Sequence, residues 1–237
     1  YSGGTEIAGG IFGNVLVKPI APVGFNAALP GMAADIYDEL GQSCQEEEVG
    51  ELVLKQPWVG MAHGFWQEKD RYENTYWSKW SDTWVHGDWV YRDKEGFWFI
   101  TGRSDDTLNI AGKRMGPADM ESILVEHQDV KEAGTIGIPD PIKGETAVCF
   151  VVLTEDKLDP QRLEGLPGEL VAWVEQRLGK ALRPAAVHLV SDLPKTRNGK
   201  IMRRVLRSAY LGKDTGDLSA LENPAIMEEI KLLRQKQ

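Results

Sequence analysis

The segment Lys195-Thr-Arg-Asn-Gly-Lys200 has the make-up of a reactive tip. Asn198-Gly199 favours a tight turn, and Lys200 follows at a predicted helix start, where its ammonium would reach a carboxylate or phosphate on another domain. Lys195, Arg197, Lys200, Arg203, Arg204 and Arg207 give six cations from 195 to 207 with no acid among them. Such a run equally suits a solvated basic helix. A nucleic-acid patch is a third reading, although the interleaved aromatics that stack bases are missing. Asp88, in His86-Gly-Asp-Trp89, is a carboxylate of the kind that accepts two adjacent ribose hydroxyls, and Arg103, in Thr101-Gly-Arg103, is a natural phosphate partner. Each also reads as an ordinary turn, and His86 with Asp88 makes no convincing metal pair. Gly3-Gly4-Thr5-Glu6 would set a hydroxyl and a carboxylate beside a phosphate–Mg²⁺ unit, or form a plain glycine loop.

These groups need a scaffold, and the composition allows one. The 237 residues are 42% hydrophobic and 27% charged, enough apolar material for a real core in one large domain or two small ones. Lys and Arg number 27 against 36 Asp and Glu, a net charge of −9 that disfavours a general nucleic-acid binder. Two cysteines, Cys44 and Cys149, make neither a disulfide framework nor a four-thiolate zinc site, and a reducing cytoplasmic setting is expected. No stretch approaches the roughly 18 apolar residues of a membrane span. The chain opens at Tyr1 inside a glycine-rich run, without Met, which predicts a piece of a longer protein.

Patterning divides the chain. Residues 33–38, 51–55, 83–86 and 97–100 alternate or carry β-branched residues as half-buried strands do. In this half only 67–80 has a helical pattern, with Tyr72, Tyr76 and Trp80 at four-residue steps. After Asp106 the texture changes. Ala111-Gly112 suggests a hairpin over 108–115, and Pro117 opens a helix to about His127. Strands are expected at 130–138, 147–153 and 187–190, an amphipathic helix at 163–182, a basic helix from Lys200 to about Leu211, and a charged helix from Pro224. The expected fold class is α+β: a β-rich, incomplete part of a larger domain over 1–104, a small mobile α+β domain over 105–213, and a tail helix within 214–237.

Taken in order, Tyr1-Ser-Gly-Gly-Thr-Glu6, Gly87-Asp88, Tyr91-Arg-Asp-Lys-Glu-Gly-Phe-Trp-Phe-Ile-Thr-Gly-Arg103, Asp105-Asp106, Gly112-Lys-Arg114 and Pro194-Lys-Thr-Arg-Asn-Gly-Lys200 closely resemble the C-terminal half of the adenylate-forming acyl-CoA synthetases, nearest the acetyl-CoA synthetase branch. The resemblance covers nearly the whole chain and is weakest in 11–50 and after Gly212. It implies a two-step ligase that converts a carboxylic acid and ATP–Mg²⁺ to an acyl-adenylate, then transfers the acyl group to coenzyme A. By the same resemblance Tyr1 lies at the adenine, Thr5 touches the α-phosphate, and Glu6 helps hold Mg²⁺. Asp88 would bind the ribose hydroxyls and Arg103 the ribose–phosphate region. Lys200, with Thr5, is the catalytic residue of the first step, bridging acid and phosphate. Asp105 is the hinge, and Gly112 and Arg114 face coenzyme A.

Three departures qualify the resemblance. The phosphate loop rich in Gly, Ser and Thr that the family places upstream is absent, which implies that this polypeptide alone does not adenylate and needs the N-terminal part of the same protein. Acetate- and propionate-selective relatives typically carry a pocket-closing Trp where Gly3 stands, which implies an acid larger than acetate. No basic residue for the 3′-phosphate of coenzyme A can be matched, with Arg177 and Arg183 the nearby candidates. Two other readings are an adenylation domain that loads a carrier protein and a catalytically silent nucleotide-binding or interaction fragment.

Overall fold

The N-terminal glycines carry no alternating side-chain pattern, yet they form strands. In the computed structural model, which describes residues 1–154 and 159–233, β1 (Ser2–Gly4) runs antiparallel to β2 (Gly9–Gly13), and β2 to the short β3 (Ala27–Ala28). A second antiparallel sheet has the order β4 (Ala34–Tyr37), β5 (Gly50–Leu54), β6 (Trp84–Arg92) and β7 (Trp98–Arg103). Helix α1 (Lys69–Tyr76) is shorter than the spacing predicts. Trp77 turns out of the helix to meet Trp84 edge-on at 5.7 Å, and Trp80 lies beyond it under the Lys79 ammonium. Aromatic packing therefore ends the helix that aromatic spacing suggests. Ile7, Ile11, Phe12, Leu52, Leu54, Trp84 and Trp98 form the buried core of this unit, Tyr1–Asp105.

The second unit, Asp106–Gln237, is built on one strand buried on both faces. The hairpin β8 (Leu108–Ile110) and β9 (Lys113–Met115) turns through Ala111 and Gly112 at φ +51° and +76°, the two positive values that a two-residue hairpin turn requires. Helix α2 (Pro117–Val125) follows, with proline in the first turn, where no backbone donor is lost. Then come β10 (Val130–Asp140), β11 (Gly144–Leu153), α3 (Pro160–Leu178) and, after a single 3₁₀ turn at Lys180–Leu182, β12 (Ala186–Leu189). Asp159 caps α3 by accepting from the Gln161 amide at 3.1 Å. Strand β11 pairs antiparallel with β10 on one edge and parallel with β12 on the other. Its period of two sends Ala147, Cys149 and Val151 toward the cluster of Met120, Leu124, Leu166, Leu170 and Val174. Val148 and Phe150 go to the opposite cluster, formed with α4 (Arg203–Tyr210) and α5 (Ile226–Leu233). Helices cover both faces, which explains the unbroken apolar run in β11. None of the described helices is long and apolar enough to cross a membrane.

Candidate functional site

In the first unit the sequence-singled residues gather at the ends of β1, β6 and β7. Tyr1, Gly3, Gly4 and Thr5 line an open depression of about 760 Å³ together with Ala8, Gly9, Gly10 and Leu29. The absence of side chains here is partly a packing demand. A Cβ on Gly3 would lie 2.1 Å from the Gly9 carbonyl oxygen, so β1 and β2 could not approach as they do. Gly3 is thus glycine because two backbones meet there, and its side-chain direction leads into β2 rather than into open space. A second depression, of about 660 Å³, is lined by Trp58, Met61, Tyr72 and Trp77 and contains none of these residues.

Glu6 sits in the turn between β1 and β2, where the Tyr76 hydroxyl donates to its carboxylate. Burial, then the charge of Glu6, pushes the Tyr76 phenol up to about 12. Mg²⁺ is ordinarily held by one or two carboxylates and by substrate phosphates rather than by an all-protein cage. The Glu6 carboxylate and Thr5 hydroxyl are oxygen donors of that kind and fit the ion. No group of three His, Cys, Asp or Glu converges among the described residues.

Strand pairing builds the next group. Asp88 on β6 stands opposite Arg103 on β7 in register, and the Arg103 guanidinium lies 3.4 Å from the Asp88 carboxylate. Arg103 also makes a two-pronged contact with Asp105, Nε to Oδ1 at 2.9 Å and Nη2 to Oδ2 at 3.0 Å. Gly87, at φ +85°, permits this: a Cβ there would stand 3.0 Å from Arg103 Nη2. Asp88 is 8% exposed, so its carboxylate is held in a desolvated wall while Arg103 reaches water. His86 lies behind, its Nε2 3.6 Å from Asp88 Oδ2, and a Cβ on Gly4 would stand 3.0 Å from its Cε1. Burial, then the charge of Arg103, pushes the His86 imidazole down to about 4, so the ring is neutral at pH 7. A neutral ring is a spacer here, not a counter-ion.

In the second unit the cationic stretch sorts itself. Lys195 Nζ is bound by Glu132 at 2.6 Å and Asp192 at 2.9 Å. Arg203 meets Glu121 with two bonds, 2.9 and 2.6 Å, and Glu121 also accepts from the Thr135 amide. Arg204 donates to the Thr215 and Asp217 carbonyls, and Arg207 to the Gly137 carbonyl at 2.6 Å. Four of the six cations are therefore structural. Arg197 and Lys200 remain, exposed at the tip, without a side-chain hydrogen bond or ion pair to any described residue. The tip itself is fixed. Thr196 and Lys200 exchange backbone and hydroxyl bonds at 2.9 and 3.2 Å, and Gly199 turns at φ +76°. Basic residues alone could not reveal this, because the acids that neutralise Lys195, Arg203 and Arg207 come from α2, β10, β11 and the segment before the loop, and the carbonyls that hold Arg204 come from beyond α4.

Gly112 crowns the β8–β9 hairpin with nothing within 4 Å of a Cβ built on it, and Arg114 follows on β9. The coenzyme A candidates Arg177 and Arg183 both have protein partners: Arg177 stacks on Trp173 and pairs with Glu126, and Arg183 pairs with Glu175.

Against known proteins, residues 119–200 match the AMP-binding enzyme C-terminal domain. The chain is 41% identical over 233 residues to the acetyl-coenzyme A synthetase of Methanothrix thermoacetophila, covering 97% of this chain and 35% of that protein. It is 40% identical over 228 residues to the acetyl-coenzyme A synthetase of Pasteurella multocida, covering 92% and 35%. Among solved structures, the acetoacetyl-CoA synthetase from Streptomyces lividans superposes with a TM-score of 0.82 at 27% identity, over 99% of this chain and 35% of that one. The chain spans about a third of the length of these relatives.

Proposed function

We propose that the chain is part of an adenylate-forming acyl-CoA synthetase, with residues 119–200 similar to the AMP-binding enzyme C-terminal domain, and that it supplies the ribose-binding wall and the mobile lysine of an AMP-forming acid–thiol ligase. In the first step the acid's carboxylate oxygen attacks the α-phosphorus of ATP, and the bond to pyrophosphate breaks. In the second the thiol sulfur of coenzyme A attacks the acyl carbon, and the bond to AMP breaks. Both steps belong to a whole ligase of the relatives' kind, of whose length this chain spans about a third, and the chain alone does not complete them. The expected setting is the cytoplasm, with no nucleic-acid partner and no membrane span.

The observation that carries this reading is the sorting of cations around Lys200. Protein acids and carbonyls occupy four of the six, and the Lys200 ammonium, without a side-chain partner among the described residues, stands on a fixed turn, able to offset charge that develops on carboxylate and phosphate together. In unit one the Asp88 carboxylate accepts from the ribose hydroxyls, Arg103 meets the ribose–phosphate region, Tyr1 lies at the adenine and Thr5 meets the α-phosphate. Mg²⁺, when bound beside Glu6, would neutralise phosphate charge. Lys200 and the Gly112–Arg114 hairpin lie on different elements of one unit, so a rotation about Asp105 would exchange adenylation for coenzyme A attack. The boundary of the two compact units, between Asp105 and Asp106, supports that hinge.

The acid is larger than acetate. The support for this reading is the depression of about 760 Å³ lined by Tyr1, Gly3, Gly4 and Thr5, which leaves room for carbons beyond C2. Each buried methylene contributes about 0.8 kcal/mol, so two favour butyrate over acetate by roughly tenfold in kcat/KM. Comparing the two acids in the whole ligase tests the proposal, and a preference for acetate contradicts it. Gly3→Ala is expected to lower activity on both acids in proportion, because its methyl meets the Gly9 carbonyl and pushes β1 from β2. A loss confined to the longer acid would show instead that position 3 faces the acyl chain.

A further inference from the structure

Beyond residue 200, where the family match ends, the chain turns back along the lysine loop. The Asn223 side chain makes three bonds there. Its Oδ1 accepts from the Lys195 amide at 3.3 Å, and its Nδ2 donates to Asp192 Oδ2 at 2.5 Å and to the Leu193 carbonyl at 2.9 Å. The Glu222 amide donates to the Lys195 carbonyl at 3.0 Å, and Leu221 pairs with Thr196 as an isolated antiparallel bridge. Farther on, Glu229 of α5 accepts from both the amide and the hydroxyl of Ser191, at 3.0 and 2.5 Å. Ile226, Met227 and Ile230 anchor α5 among Leu193, Val205 and Leu206. An eight-residue helix is marginal by itself, so this burial is what fixes it.

We propose that segment 218–224 is a strap that holds loop 195–200 in its lysine-presenting form, with Asn223 as the positioning residue. The proposal deepens the reading of Lys200 as the adenylation residue and rests on it. Four of the strap's contacts land on Asp192, Leu193 and Lys195, one turn ahead of the tip, and a fifth on Thr196, whose backbone and hydroxyl hold Lys200. The Lys200 ammonium touches none of them. The strap thus stiffens the backbone beneath the lysine and leaves the side chain free to meet its substrates. A displacement of about 1 Å can cost a hundredfold in rate, which gives a reason to secure the base of such a loop.

Two measurements test this. In the 237-residue chain, Asn223→Ala is expected to speed amide hydrogen exchange at Thr196 and Gly199 by about tenfold, with amides in α3 unchanged. Asp192→Ala, which removes the acceptor from the other side and leaves the core intact, is expected to do the same. Exchange that stays unchanged, or rises equally across the unit, overturns the strap. In the whole ligase, Asn223→Ala is expected to slow acid-dependent ATP–pyrophosphate exchange about tenfold in kcat, with the KM for ATP and the reaction of supplied acyl-adenylate with coenzyme A within about twofold of the parent. If Lys200→Ala abolishes pyrophosphate exchange while Asn223→Ala leaves it intact, the positioning role is overturned. If Lys200→Ala itself leaves it intact, the reading of Lys200 falls.

Discussion

Lys200→Ala in the whole ligase is expected to lower acid-dependent ATP–pyrophosphate exchange by about a hundredfold to a thousandfold, the range for removing one preorganised group that stabilises transition-state charge. The reaction of supplied acyl-adenylate with coenzyme A should stay within about twofold, because in the proposed second step the same unit would present the Gly112–Arg114 hairpin instead of Lys200. The protein should remain folded. Lys200 is exposed and has no side-chain partner among the described residues, so its truncation removes no packing and strands no buried charge. Arg197→Ala, two residues from the turn, gives the comparison for a general loss of positive charge. Equal loss in both half-reactions would mean that Lys200 serves binding or folding and not the first step. Arg197→Ala matching Lys200→Ala would mean that the tip acts only through its net charge.

The second large effect is on stability. Arg203, the first residue of α4, and Glu121 of α2 form a two-pronged pair 82 positions apart, with Glu121 also accepting from the Thr135 amide at 2.8 Å. The Glu121 side chain is 11% exposed, so Arg203→Ala leaves a carboxylate with little access to water. Breaking such a pair costs about 3 kcal/mol, at the low end of the range for buried pairs because Arg203 itself reaches solvent. In a unit of this size that corresponds to a fall in Tm of roughly 10 °C. The double replacement Glu121→Leu with Arg203→Met should recover most of the loss, since no charge is then stranded. A change below about 1 kcal/mol for Arg203→Ala would show that water already screens the pair. Either result bears on Lys200, because α4 begins three residues after it.

Several elements are legible in sequence because their signals are local. The β11 run from Ala147 to Val151, the Ala111-Gly112 turn and the Pro117 helix start are each decided within a few residues, and the structure forms all three. Strands β1 and β2 are invisible to a search for alternating side chains, because glycine has none to alternate. Trp80 matches the helical spacing of Tyr72 and Tyr76, yet the chain leaves the helix at Trp77 so that Trp77 can meet Trp84. The site divides in the same way. Residue types identify Asp88, Arg103 and Lys200 as candidates, but neither the Asp105 contact with Arg103 nor the acids that neutralise Lys195, Arg203 and Arg207 can be inferred from spacing. Asn223 is the extreme case. It is a polar residue between a glutamate and a proline, and only the return of the chain gives it a role.

Calorimetric titration of the 237-residue chain with AMP tests the nucleotide reading most directly. The account predicts saturable binding, a loss of at least about tenfold in affinity for Asp88→Ala, and a similar loss when 2′-deoxy-AMP replaces AMP on the unchanged chain, since both changes remove the diol–carboxylate contact. Asp88→Ala and 2′-deoxy-AMP together should cost no more than either alone. No saturable binding, or equal binding of AMP by the parent and Asp88→Ala chains, would contradict it.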